Sequence, residues 1–220
     1  AIGNQSASAL NTGALNTMVG YYSGAKVTEG ADNVLIGREA GSAITTGSYN
    51  TLVGGSAGKA FDTESNNTGF GYEALRSGSL AGAEYNVAIG NYTLDAITSG
   101  DKNTVIGYDA GGALTTGSAN TIIGENAGSN GALTGDDNTV VGKIAGYALT
   151  SGHSNTLIGR HAASALTTGV RNVALGMGAN DSAADGENDN IAIGYNAMAS
   201  ASLAGGEYNV AIGNTSLDAL

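Results

Sequence analysis

A five-residue pattern recurs along the whole chain: asparagine, a β-branched residue, a variable residue, an apolar residue and glycine, as in Asn155-Thr-Leu-Ile-Gly159. The closing glycines are Gly3, Gly20, Gly37, Gly54, Gly71, Gly90, Gly107, Gly124, Gly142, Gly159, Gly176, Gly194 and Gly213, at intervals of 17 to 19 residues. The asparagine four places earlier is present wherever the chain reaches back far enough, at Asn16, Asn33, Asn50, Asn67, Asn86, Asn103, Asn120, Asn138, Asn155, Asn172, Asn190 and Asn209. A fixed period of this length is too short for a pair of helices and suits one turn of a β-solenoid. Glycine is abundant (37 of 220 residues) and proline absent, which in a chain without phase would suggest a flexible tract. The strict register argues for structure instead, since disorder requires none.

Each period predicts the same coil. The residues before the glycine are β-rich, for example Val34-Leu35-Ile36 and Thr121-Ile122-Ile123. A small residue follows the glycine at Ser23, Ala40, Ala57, Ala110, Ala127, Ala145 and Ala162. A second apolar position comes next, at Leu10, Val27, Ile44, Phe61, Leu114, Leu149 and Leu166, and is expected to form a second short strand. A polar corner such as Thr45-Thr46-Gly47 closes the coil. The fold class is therefore all-β: a parallel β-solenoid (β-roll) of about 12 coils. Residues 1–220 read as a single continuous array with no internal boundary. The chain opens and ends inside a repeat, which suggests a window of a longer repetitive protein.

Alternation along a strand gives an expectation about association. The residue preceding the glycine is apolar in every coil and is expected to face the interior. Its neighbour would then face outward, yet it reads Met18, Leu35, Leu52, Val105, Ile122, Val140 and Leu157, with Gly69, Ala88, Ala174, Ala192 and Ala211 in the other coils. A strand apolar on both faces is buried on both. An outward apolar column over about twelve coils, roughly 4.8 Å apart, would run some 58 Å and would need a covering partner. The thin core, with no cysteine to staple it, also calls for association. The expected partner is further copies of the chain, a homo-oligomer with Met18, Leu35, Leu52, Val105, Ile122, Val140 and Leu157 as its seam.

The repeats fall into two groups that resemble known families. Asn86-Val-Ala-Ile-Gly90, Asn190-Ile-Ala-Ile-Gly194 and Asn209-Val-Ala-Ile-Gly213 resemble the head repeats of trimeric autotransporter adhesins. The 17-residue form, as in residues 103–117, resembles repeats of bacteriophage tail-fibre proteins. The resemblance covers the whole chain. It implies a homotrimer of parallel β-rolls in an extracellular virion fibre or cell-surface adhesin, attached to a host glycan or protein receptor, and it implies no catalytic residue. Residues 71–96 return almost unchanged at 194–219, seven coils later, and both copies carry a two-residue insertion before Glu84-Tyr85 and Glu207-Tyr208.

The polar columns read as structural. Asparagine tolerates left-handed backbone and bonds its own turn, and stacked amides form ladders. Glycine at a tight corner supplies positive φ or close backbone approach. The insertion Asp181–Asn190 gathers Asp181, Asp185, Glu187 and Asp189, a weak calcium candidate without the spacing of an EF-hand loop. His153 and His161 have no second-shell pattern around them and read as surface histidines. Tyr21, Tyr72, Tyr108 and Tyr195 recur just after the coil glycine and suit either sugar stacking or lateral packing. No nucleophile elbow, triad or paired carboxylates stand out, so no enzyme, cofactor or catalytic residue is expected. A formal charge of −11 disfavours nucleic acid, and no apolar run is long enough for a membrane-spanning helix. The expected function is a non-enzymatic structural fibre. The alternatives are an end-to-end extracellular filament, a glycan-cleaving tailspike and an ice-binding solenoid displaying its Thr-Thr-Gly corners.

Overall fold

The computed structural model describes residues 1–76, 82–182, 186–199 and 206–218. The chain is an all-β parallel β-solenoid with a repeat of about 17 residues, and its contacts divide it into two units, residues 1–109 and 110–220. The first unit holds β1 (Thr17–Val19), β2 (Val34–Ile36), β3 (Thr51–Val53), β4 (Thr68–Phe70), β5 (Val87–Ile89) and β6 (Thr104–Ile106). The second holds β7 (Thr121–Ile123), β8 (Thr139–Val141), β9 (Thr156–Ile158), β10 (Val173–Leu175), β11 (Ile191–Ile193) and β12 (Val210–Ile212). Within each unit every strand pairs in parallel with the next, like residue on like residue: Met18 on Leu35, Leu35 on Leu52, Val140 on Leu157.

These three-residue strands are all the strand structure that a coil contains among the described residues. The predicted second strand is absent. Its apolar residue sits in a chain of turns closed by local bonds, such as Val27 N–H to the Gly24 carbonyl (3.1 Å) and Leu149 N–H to the Gly146 carbonyl (3.0 Å). Isolated bridges, such as Leu114 with Leu133, are the remnant of sheet there. In these turns residues with positive φ recur at fixed places in each coil: Tyr22, Glu39, Ser56 and Glu73 two places after the glycine, Asp32, Tyr49 and Asn66 just before the asparagine. A left-handed residue costs roughly 1–2 kcal/mol outside glycine. A single coil is therefore strained, and the bonds to its neighbours hold it in shape.

The orientation of the strands is the reverse of the sequence expectation. Leu35, Leu52, Val105, Ile122, Val140 and Leu157 are completely buried inside their own coil, and Met18 is buried as well. The flanking residues face out: Ile36, Phe70, Ile89 and Ile158 are between 36% and 42% exposed. The proposed seam column is thus the core, and it lies out of reach of any partner. The reason is one of space. Across from the strand, the fourth residue after each closing glycine points into the same cavity, and the two positions share its volume. Where the strand residue is large, the turn residue is small: glycine opposite Met18 (Gly24), Leu35 (Gly41) and Leu52 (Gly58), and alanine (Ala163) opposite Leu157. Where the strand residue is small, the turn residue is large and buried: Gly69 with Leu75, Ala88 with Leu94, Ala192 with Met198. The backbone is the same in both cases, with φ of +54 at Gly41 and +55 at Leu75. Small residues (Ala40, Ala57, Ala127, Ala145) and the apolar turn residues (Val27, Ile44, Phe61, Leu149, Leu166) complete the core.

The asparagines stack inside the coils. The Asn50 side chain donates to the Asn33 carboxamide oxygen (3.1 Å) and to the Glu64 carbonyl at the corner of the next coil (2.8 Å). The same Asn33 oxygen accepts the Asn50 backbone N–H (2.9 Å). The arrangement recurs at Asn138, Asn155 and Asn172 in the second unit. The strand-closing glycines are required twice over. Gly37 has φ +136, and a Cβ there would lie 2.4 Å from the Gly54 carbonyl oxygen.

Candidate functional site

Two surfaces carry chemistry: the outer face of the strands and the turn that follows each closing glycine.

The outer face presents two columns. In the first unit one column is Thr17, Val34, Thr51, Thr68, Val87 and Thr104, and the other is Val19, Ile36, Val53, Phe70, Ile89 and Ile106. The second unit continues the pattern with Thr121, Thr139 and Thr156 beside Ile123, Val141 and Ile158. All 8 Lys and Arg and all 19 Asp and Glu lie outside these strands. A solvated sheet face ordinarily alternates to polar and charged residues. This one is uncharged and, Phe70 apart in the first unit, β-branched in a chain of net charge −11.

The turn flank carries several of the charges and tyrosines. Across neighbouring coils Glu39 pairs with Lys59 (2.7 Å), and Glu125 with Lys143 (2.9 Å). The Lys59 hydrogen bond holds the Glu39 carboxyl below its usual range. In the first unit Tyr72, Tyr92 and Tyr108 come from three successive coils and meet edge to face, with ring centroids 5.5 and 5.9 Å apart. Tyr72 is 41% exposed and Tyr108 55%. The Tyr92 N–H donates to the Tyr72 carbonyl (2.9 Å), and the Tyr72 N–H donates to the exposed Asn91 side chain (2.8 Å). Glu73 binds Arg76 (2.7 Å) beside them. The hydrogen bond to Glu73 raises the Tyr72 phenol above its ordinary range. Asp95 and Asp109 lie on the same flank, half-buried and outside every ion pair among the described residues. Burial raises both carboxyls, and the charge of Asp109 raises Asp95 further.

The sequence candidates distribute as follows. Tyr72 and Tyr108 join this cluster, whereas Tyr21 packs on Tyr22 (4.4 Å) and Tyr195 is exposed in the second unit. The weak calcium candidates do not converge. Glu187 is buried, Asp189 faces Arg171 (2.6 Å), Asp181 accepts the Ser164 hydroxyl, and Asp185 lies outside the described residues. The Arg171 hydrogen bond lowers the Asp189 carboxyl. Among the described residues no three His, Asp or Glu side chains gather as a metal site, and no helix is long and apolar enough to cross a membrane. His153 is exposed with Nδ1 3.3 Å from the Ser154 hydroxyl, and His161 lines a shallow depression of about 270 Å³ with Arg160, Met177 and Asp181.

Three features escaped the sequence reading. Tyr92 sits one place later in its coil than the other tyrosines, and Asp95 and Asp109 are not near each other in sequence. Glu64, completing the set, occupies a corner that is glycine in most coils, and its carboxylate accepts the Asp62 (2.7 Å) and Thr63 (3.1 Å) N–H groups. The signal for Glu64 was available: Glu64 and Glu187 stand at the same place, each one coil before a two-residue insertion.

Comparison with protein-family models, with curated proteins and with solved structures gives no match, so the fold and the two surfaces carry the functional argument.

Proposed function

We propose that this chain is a non-enzymatic structural protein of an extracellular fibre, a phage tail fibre or a surface adhesin, in which copies associate side by side as a homotrimer to attach the particle or cell to a host surface. The observation that carries the reading is the uncharged, mainly β-branched face of each unit. Between β1 and β6 it extends about 24 Å at 4.8 Å per strand, more than the scattered exposed apolar residues that a monomer tolerates. The two families that the repeats resemble supply the trimer and the surface setting.

Light scattering tests it. The wild-type chain is expected at a fixed multiple of its 21.5 kDa mass, and lysine at Ile36, Ile89 and Ile158 is expected to give folded monomers. A soluble wild-type monomer overturns the assembly, and mass that climbs with concentration points to end-to-end filaments instead.

The same face favours a second reading. In the second unit Thr121, Thr139 and Thr156 stand in register on successive parallel strands, hydroxyl and methyl repeating at the strand spacing, as a surface that orders water would need. Thermal hysteresis of a monomeric preparation would select this reading.

A further inference from the structure

We propose that Tyr72, Tyr92 and Tyr108, with Asp95 and Asp109, form a binding site for a non-acidic glycan. The proposal names the receptor class for the attachment role above and rests on that part of the reading, but it does not depend on the trimer.

The argument begins with the rings. Three partly exposed tyrosines meet on successive coils; bonds from coil to coil hold the backbones of Tyr72 and Tyr92, and the Asp109 N–H beside Tyr108 donates to the Asn91 carbonyl. Tyrosine offers a large amphipathic surface with little side-chain entropy to lose on binding. Rings held in this way are preorganised, which lowers the cost of association. Tyr72 and Tyr108 occupy the same place in coils two apart, separated by about 9.6 Å of strand stacking. That span exceeds one pyranose ring and suits a short run of a linear glycan.

The polar groups beside the rings select the ligand. A pyranose shows an apolar C–H face, which suits tyrosine, and a rim of hydroxyls, which suits carboxylate acceptors. Asp95 and Asp109 are half-buried on this flank with no ion-pair partner among the described residues, while the nearby Glu73 has Arg76. Both carboxylates are partly desolvated in the fold, and burial raises them. A hydroxyl-rich ligand offers these carboxylates hydrogen-bond donors without bringing a further negative charge. The excess of carboxylate over cation on this flank repels uronic and sialic acids, so the ligand is neutral or bears an amine.

The test is calorimetric titration with three oligosaccharides: an N-acetylglucosamine oligomer, its deacetylated glucosamine counterpart and oligogalacturonate. With no tryptophan in the chain, tyrosine fluorescence gives an independent reading. At least one of the two non-acidic oligomers is expected to bind saturably, and oligogalacturonate is not. Tyr92→Ala and Tyr108→Ala should each weaken binding by about tenfold or more, Tyr108→Phe should retain most of it, and Tyr49→Ala, an exposed tyrosine elsewhere, should leave it unchanged. Each variant is checked for an unaltered circular dichroism spectrum and melting temperature, and the Phe variant separates lost stacking from lost folding. The lysine variants of the sheet face should bind the glycan as the wild type does, so failure of the trimer and failure of this site are read separately. Absence of saturable binding by both non-acidic oligomers, equal binding of oligogalacturonate, or wild-type affinity in both alanine variants overturns the proposal.

Discussion

Leu52 occupies the space that a side chain at Gly58 would need: a Cβ built on Gly58 lies 2.4 Å from Leu52 Cδ1. One coil later the roles are exchanged, and a Cβ on Gly69 would lie 3.3 Å from Leu75 Cδ1 and 3.0 Å from Leu52 Cδ2. The interior volume of a coil is fixed by its backbone, and strand and turn divide it between them.

A double-mutant cycle measures that division. Leu75→Gly alone should cost about 2–5 kcal/mol through the cavity it leaves, and Gly69→Leu alone about 1–3 kcal/mol through overpacking. The double variant converts this coil to the Leu52–Gly58 type and should recover much of the loss, with a coupling of at least about 1 kcal/mol by denaturant unfolding. Simple additivity would show that the two side chains do not share a cavity.

Leu157 and Ile158 are adjacent, one buried and the other 38% exposed. Leu157→Lys places an ammonium in the core and should abolish cooperative unfolding or lower the melting temperature severely. Ile158→Lys should leave the circular dichroism spectrum intact and change only the mass in solution. The opposite pair of results would restore the orientation first expected from the sequence.

Asn155 donates to Gly169 and Asn138, and its oxygen accepts two bonds from Asn172. Asn155→Ala leaves several buried groups unmatched, at about 1–3 kcal/mol each. Asn155→Asp keeps an acceptor but buries a carboxyl. Its destabilisation should grow as pH rises above the ordinary carboxylate range and shrink in acid, a trend thermal melts will show and the alanine variant will lack.

Asp95 and Asp109 bind a proton more tightly in the folded chain than in the unfolded one, because burial disfavours their charged forms. The folded state is therefore favoured while they are protonated, and that contribution is lost as pH rises from about 4. Glu39, lowered by Lys59, acts in the other direction and loses its contribution as pH falls below the ordinary carboxylate range. Asp95→Asn and Asp109→Asn should raise the melting temperature at neutral pH and flatten its fall above about pH 4. A lower melting temperature in both variants at neutral pH would contradict this sign.

The period, the parallel stacking and the asparagine and glycine columns were legible because they are written at a fixed spacing, and stacking is the only arrangement that brings a 17-residue spacing into contact. Orientation was not legible from hydrophobicity alone, since Thr156, Leu157 and Ile158 could all be read as interior. The deciding signal was elsewhere in the coil. Glycine at 24, 41 and 58 accompanies a large strand residue, and leucine at 75 and 94 accompanies a small one. Such compensation requires both positions to face the same cavity, so Leu157 had to point inward. The second strand failed for a different reason: residues such as Tyr22 and Glu39 adopt left-handed backbone that their identity does not announce. The tyrosine cluster depends on contacts between coils through Tyr92, whose offset of one place hid it from a search by column.

The asparagine column has one further consequence. Each coil hands the next the same acceptor and takes from it the same carbonyl, always in one direction along the chain. A gene that gains or loses whole coils by unequal recombination leaves this pattern of donors and acceptors whole. Length can then change in whole coils while each coil stays under the constraint of its volume, and the near-identical segments 71–96 and 194–219 stand seven whole coils apart.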